Sequence, residues 1–85
     1  MKTFKYTITD LIGLHARPAG MLVKEAKQYK SKIMIYAGDK SAEATKLLAL
    51  MGMGVTTGTE ITVEIEGEDE DSCSEGMRVF FEKNL

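Results

Sequence analysis

One histidine and one proline occur in this chain, and both fall within Gly13-Leu14-His15-Ala16-Arg17-Pro18-Ala19. An unprotonated imidazole nitrogen is a nucleophile that can attack phosphorus and hold a phosphoryl group covalently. A guanidinium two positions on can neutralise phosphoryl oxygens through forked, charge-assisted hydrogen bonds that a lysine does not copy. Proline is tolerated in a first helical turn, because the N–H it lacks would have had no intrahelical partner. Glycine permits the turn that comes first, and an amphipathic run comes after. The segment therefore reads as a helix N-terminus, where unpaired N–H groups and partial positive charge attract phosphate. His15 is the candidate phosphoryl acceptor and Arg17 the candidate charge stabiliser. The backbone N–H groups of Ala16 and Arg17 are placed to hold the remaining oxygens.

A small set of elements must position these groups. Phe4, Tyr6 and Ile8 alternate with Lys5, Thr7 and Thr9, the period-two pattern of a strand with one buried face. Asp10 to Gly13 is the loop into the site. From Ala16 to Tyr29, the apolar residues Ala19, Leu22, Val23 and Ala26 recur at helical spacing. Arg17, Lys24 and Lys27 lie off that stripe, and Gly20 beside them leaves room for a partner to approach. Ile33 to Tyr36 reads as a second strand, Gly38-Asp39 as a hairpin turn, and Ser41 to Ala44 as a short third strand. A short helix over Lys46 to Met53 ends at Gly54, with Leu50 and Met53 facing inward.

Ile61, Val63 and Ile65 alternate with polar residues in a fourth strand, after a turn at Gly58. The last helix is expected from about Asp69 to Lys83, with Cys73, Met77 and Phe80 on its core face. Gly76 within it costs roughly 1 kcal/mol relative to alanine. The order β-α-β-β-α-β-α describes one α+β domain over residues 1–85, with its helices on one side of a single sheet.

Composition narrows the function classes. A net charge of −2 argues against bulk electrostatic binding of nucleic acid. The strands also lack the paired aromatics that stack RNA bases. No apolar run approaches the roughly 20 residues needed to span a bilayer, so membrane insertion is not expected. A single cysteine, Cys73, and no secretory signal point to the cytoplasm. One histidine without a nearby carboxylate cluster is a poor metal site, so no metal is expected. A hydrolase using His15 as general base would need a Ser, Cys or carboxylate partner motif, and none is recognisable. Acidic residues gather late, at Glu64, Glu66, Glu68, Asp69, Glu70 and Asp71, whereas Arg17, Lys24 and Lys27 share the His15 segment. That local basic face suits an acidic protein partner.

Residues 13–19 resemble the active-site signature of HPr, the histidine-containing phosphocarrier family of the bacterial sugar phosphotransferase system. Collinear similarity continues through Leu47 to Val55, Gly58 to Val63 and the acidic opening of the last segment, so it covers essentially the whole chain. The resemblance implies an open-faced β-sandwich, with a four-stranded antiparallel sheet and three helices on one face. It implies a stoichiometric carrier, not an enzyme, that works without a cofactor. His15 would take a phosphoryl group on Nδ1 from enzyme I, itself charged by phosphoenolpyruvate, and pass it to enzyme IIA components. Leu14, Gly20, Lys24, Lys27, Leu47, Leu48, Met51 and Gly54 match the partner interface, and a monomer is expected. Flexible Leu and Met side chains suit a surface that engages several proteins. The alternative is an HPr-like regulatory module serving a non-sugar branch or a transcription regulator.

Three positions depart from the family pattern. Lys46 stands where Gram-positive members carry a regulatory serine, so loss of the serine-kinase branch is expected. Lysine also lacks an oxygen to cap the short helix, leaving Thr45 as the candidate cap one residue earlier. Ile12 replaces a small polar residue, which removes a side-chain hydrogen bond to the phosphate or its loop, about 1 kcal/mol. A milder difference is Gly52, where Gram-positive members tend to have serine.

Overall fold

A computed structural model describes all residues from Met1 to Leu85. Strand β1 (Lys2–Thr7) leads into helix α1 (Ala16–Ala26), then β2 (Lys32–Ala37) and β3 (Lys40–Glu43). Helix α2 (Leu47–Gly52), β4 (Glu60–Glu66) and α3 (Glu70–Asn84) complete the chain. The four strands form one antiparallel sheet in the order β1-β4-β2-β3, so the last strand lies between the first two. Register aligns Phe4 with Val63, Val63 with Ile35 and Ile35 with Ala42, a row that is buried throughout. The adjacent row, Lys5, Thr62, Tyr36 and Ser41, lies on the other face and is exposed or half-buried. Period two thus places the apolar half of every strand under the helices. The order and architecture match the sequence-based expectation.

Helix α1 buries Pro18, Ala19, Leu22 and Ala26, with Val23 packed at the margin of the core. It stops at Ala26, three residues short of the expected Tyr29. Beyond it the winding tightens, with Gln28 N–H donating to Glu25 and Tyr29 N–H to Ala26. Tyr29 then reaches α3, where a Cβ on Gly76 would lie 1.9 Å from its hydroxyl. The glycine that weakens α3 is therefore the space that Tyr29 fills.

Helix α3 buries Cys73, Ser74, Met77, Phe80 and Phe81. Phe81 stacks on Tyr6 at 5.6 Å and meets Phe4 edge-on at 6.0 Å, locking α3 to β1. Such aromatic pairs contribute about 1 kcal/mol each beyond burial. At the other end of α3, the Asp69 carboxylate accepts the N–H groups of Lys30 and Ser31 at 2.8 and 2.9 Å, and the Ser31 hydroxyl. The Ser31 hydroxyl above all, then the Lys30 N–H, hold the Asp69 carboxyl below its ordinary range. Asp69 thereby ties the chain ahead of β2 to the start of α3.

In α2, Leu50 and Met53 face the core as expected, while Leu47, Leu48 and Met51 remain exposed. Lys46 is the N-cap, in extended conformation and without a side-chain cap. Thr45 does not cap the helix. It precedes the N-cap position, and its hydroxyl donates to the Glu43 carboxylate at 3.2 Å.

Candidate functional site

His15 occupies the N-cap of α1 in extended conformation (φ −99°, ψ −173°), and its side chain makes no capping bond. The imidazole is half-buried and uncommitted. The first i→i−4 bond of α1 runs from Ala19 N–H to the His15 carbonyl at 2.9 Å. The N–H groups of Ala16 and Arg17 therefore precede the hydrogen-bonded ladder and remain available. No acidic residue lies in the first turn, so nothing competes for the positive end of the helix dipole.

A cleft of about 310 Å³ opens here, with His15, Arg17, Pro18 and Met21 on one side. Asp10 and, from the last turn of α3, Lys83 and Asn84 complete its wall. Arg17 is exposed and takes no part in the three ion pairs of the molecule. An imidazole, a free guanidinium and a second cation thus share one open cleft. Cys73 is no rival nucleophile, since burial keeps its thiol protonated with a pKa raised to about 11. Nowhere do three or more His, Cys, Asp or Glu side chains gather to hold a metal ion.

Two loops hold this cleft in shape. Asp10 Oδ1 accepts the N–H of Ile12 at 2.9 Å and that of Gly13 at 3.2 Å, an Asx-type turn. The Leu14 N–H then donates to Val55 at 3.0 Å, and the Thr57 hydroxyl to the Asp10 carbonyl. Gly13, with φ +86°, lies flat against the second loop, where a Cβ would come within 2.5 Å of the Val55 carbonyl oxygen. A main-chain oxygen of Leu85 accepts the N–H groups of Thr9 and Asp10 at 2.6 and 2.8 Å. The aromatic lock between α3 and β1 therefore carries Lys83 and Asn84 to the site.

Asp10 accepts the backbone N–H groups of this loop, and Ile12 adds no side-chain hydrogen bond to it. The Ile12 side chain is 67% exposed, beside Leu11 at 91%. Of the expected interface residues, Leu47, Leu48 and Met51 are exposed on α2, which packs beside α1. Lys24 and Lys27 are exposed and without ion pairs, and a Cβ on Gly20 would meet nothing. Gly54 is also exposed.

Leu14 is a correction. Its side chain is 7% exposed and belongs to the core, so it holds the loop from below and presents no docking surface. Sequence reasoning missed Asp10, Lys83 and Asn84 as cleft residues. The Asp-x-x-Gly spacing at 10–13 signals the Asx turn, whereas nothing local reveals Lys83 and Asn84, which arrive through tertiary packing.

Comparison with known proteins bears on what this site is. Residues 2–83 match the family described as PTS HPr component phosphorylation site. The phosphocarrier protein HPr of Mycoplasma capricolum is 41% identical over 78 residues, covering 92% of this chain and 88% of that protein. A crystal structure of HPr from Thermoanaerobacter tengcongensis superposes with a TM-score of 0.93 at 30% identity, covering 99% of this chain and 94% of that one. The Bacillus subtilis catabolite repression protein Crh, solved as a domain-swapped dimer, aligns with a TM-score of 0.77 at 32% identity. That likeness covers 100% of this chain and 98% of Crh. Family match, close relatives and superposable structures each span nearly the whole molecule, and the chain belongs to the HPr family of bacterial phosphocarriers.

Proposed function

We propose that this chain carries a phosphoryl group on His15, taken from phosphoenolpyruvate through enzyme I and passed to enzyme IIA components. The observation that carries the reading is the uncommitted imidazole at the α1 N-terminus, in one cleft with an unpaired Arg17. In the step, the lone pair of a neutral imidazole nitrogen forms a new P–N bond. The donor's bond to phosphorus breaks, and its electron pair returns to the donor. Arg17 and the N–H groups of Ala16 and Arg17 gather the phosphoryl oxygens as charge redistributes. The chain itself is phosphorylated and dephosphorylated in each cycle, so it acts as a stoichiometric carrier.

Leu47, Leu48 and Met51, with Gly20, Lys24, Lys27 and Gly54 around them, form the docking surface in this reading. Exposed apolar side chains rimmed by free lysines suit acidic partners with an apolar centre. Lys46 has no hydroxyl, so serine-kinase control at this place is lost.

Similarity to Crh supports a second reading, in which phosphorylation of His15 is a signal to a regulator and not a flux step. Sugar uptake in a bacterial strain lacking its own HPr separates the two. The carrier reading expects uptake to be restored by the chain and not by His15→Ala. A chain that is phosphorylated in those cells and restores no uptake would favour the regulatory reading.

A further inference from the structure

Asp10 is the only acidic side chain on the wall of the His15 cleft, and we propose that its charge tunes the site toward releasing the phosphoryl group. The inference rests on the reading of His15 as phosphoryl acceptor. Two hydrogen bonds, from Ile12 and Gly13 N–H to Oδ1, hold the carboxylate in place. Neither bond needs a negative charge. An asparagine carbonyl oxygen accepts the same two donors in the same kind of turn. The loop geometry therefore explains an acceptor at position 10 and leaves the charge unexplained.

That charge has an electrostatic consequence in the cleft. No ion pair neutralises it, since the three in the molecule join Met1 to Glu70, Lys2 to Asp71 and Lys30 to Glu68. Arg17 and Lys83 favour a phosphoryl dianion on His15, whereas Asp10 opposes it. Each transfer exchanges one bond to phosphorus for another, so local charge at His15 shifts where the phosphoryl group rests. A carrier must accept the group and also give it up. Two cations without an opposing charge would hold it more tightly, and Asp10 shifts the balance toward passing it on.

The test compares wild type with Asp10→Asn at equilibrium with a fixed quantity of radiolabelled phospho-enzyme I, the sole source of label. The ratio of phosphorylated to unphosphorylated chain is expected to rise about five-fold in Asp10→Asn at low salt, shrinking toward unity at 1 M salt. Asp10→Ser, a second neutral acceptor, should move the ratio in the same direction and guards against a folding defect in the first variant. Ratios within 1.5-fold of wild type, with the label still on His15, would overturn the role of Asp10 and leave the carrier reading intact. Absence of label from wild type and variants alike would overturn both.

Discussion

Gly13→Ala is expected to destabilise the protein by about 3 kcal/mol, the sum of two separable effects. The first is backbone strain, because φ is +86° at this position and an L side chain rarely adopts it. The second is overlap with main chain, since the new Cβ would sit 2.5 Å from the Val55 carbonyl oxygen and 2.6 Å from Thr56 Cα. Backbone held by the Leu14–Val55 hydrogen bond cannot yield as a flexible side chain would. Gly58→Ala is the matched control, having the same φ of +86° with nothing within 4 Å of its Cβ. It should cost about 1 kcal/mol. Denaturant unfolding of the two variants isolates the packing contribution, and equal losses would show that the contact between the loops is unimportant. For a domain of this size, 3 kcal/mol lowers the melting temperature by about 12–24 °C. The displaced loop also carries His15, so phosphoryl acceptance should fall with stability.

Arg17→Ala is expected to act in the opposite manner, leaving stability nearly unchanged and slowing phosphoryl transfer about 100- to 1,000-fold. Arg17 is exposed, makes no ion pair and buries no side-chain surface in the core, so the fold loses little with it. In the proposed step it is a planar cation beside His15 when charge shifts onto the phosphoryl oxygens. Arg17→Lys should recover only part of the rate, because an ammonium cannot form the forked contact. Single-turnover transfer from enzyme I, measured with melting curves of the same samples, checks both halves. Transfer within three-fold of wild type in Arg17→Ala would remove Arg17 from the mechanism.

The contrast between these two residues shows what a sequence makes legible. The exposed place of Arg17 beside His15 is readable because helix periodicity puts the residue off the core stripe. The buried faces of the strands are readable for the same local reason, as is the inward Leu50 of α2, whereas outward Leu48 follows from the family resemblance. The role of Gly13 is only half readable. A turn before His15 follows from its type, but the Val55–Thr56 backbone against which it lies is some forty residues away in the chain.

Every other miss has this character. Period two gives the face of a strand and not its neighbours, so the insertion of β4 between β1 and β2 could not be derived from alternation. Leu14 looked like part of an exposed motif because its burial depends on the second loop and the core beneath. Gly76 reads locally as a weak point in α3, whereas Tyr29 from another element occupies the space above it. Lys83 and Asn84 reach the cleft because Phe81 docks α3 on β1 and Leu85 bonds the Thr9 and Asp10 backbone. Local pattern encodes elements and their faces, whereas long-range packing decides which polar groups meet at a site.

The central claim is that His15 is the phosphoryl acceptor, and intact-protein mass spectrometry after incubation with phosphoenolpyruvate and enzyme I tests it most directly. One acid-labile phosphoryl group on wild type, absent from a folded His15→Ala variant, is the expected result. A label that survives in His15→Ala, or a well-folded wild type that takes none from its own host's enzyme I, would contradict the account.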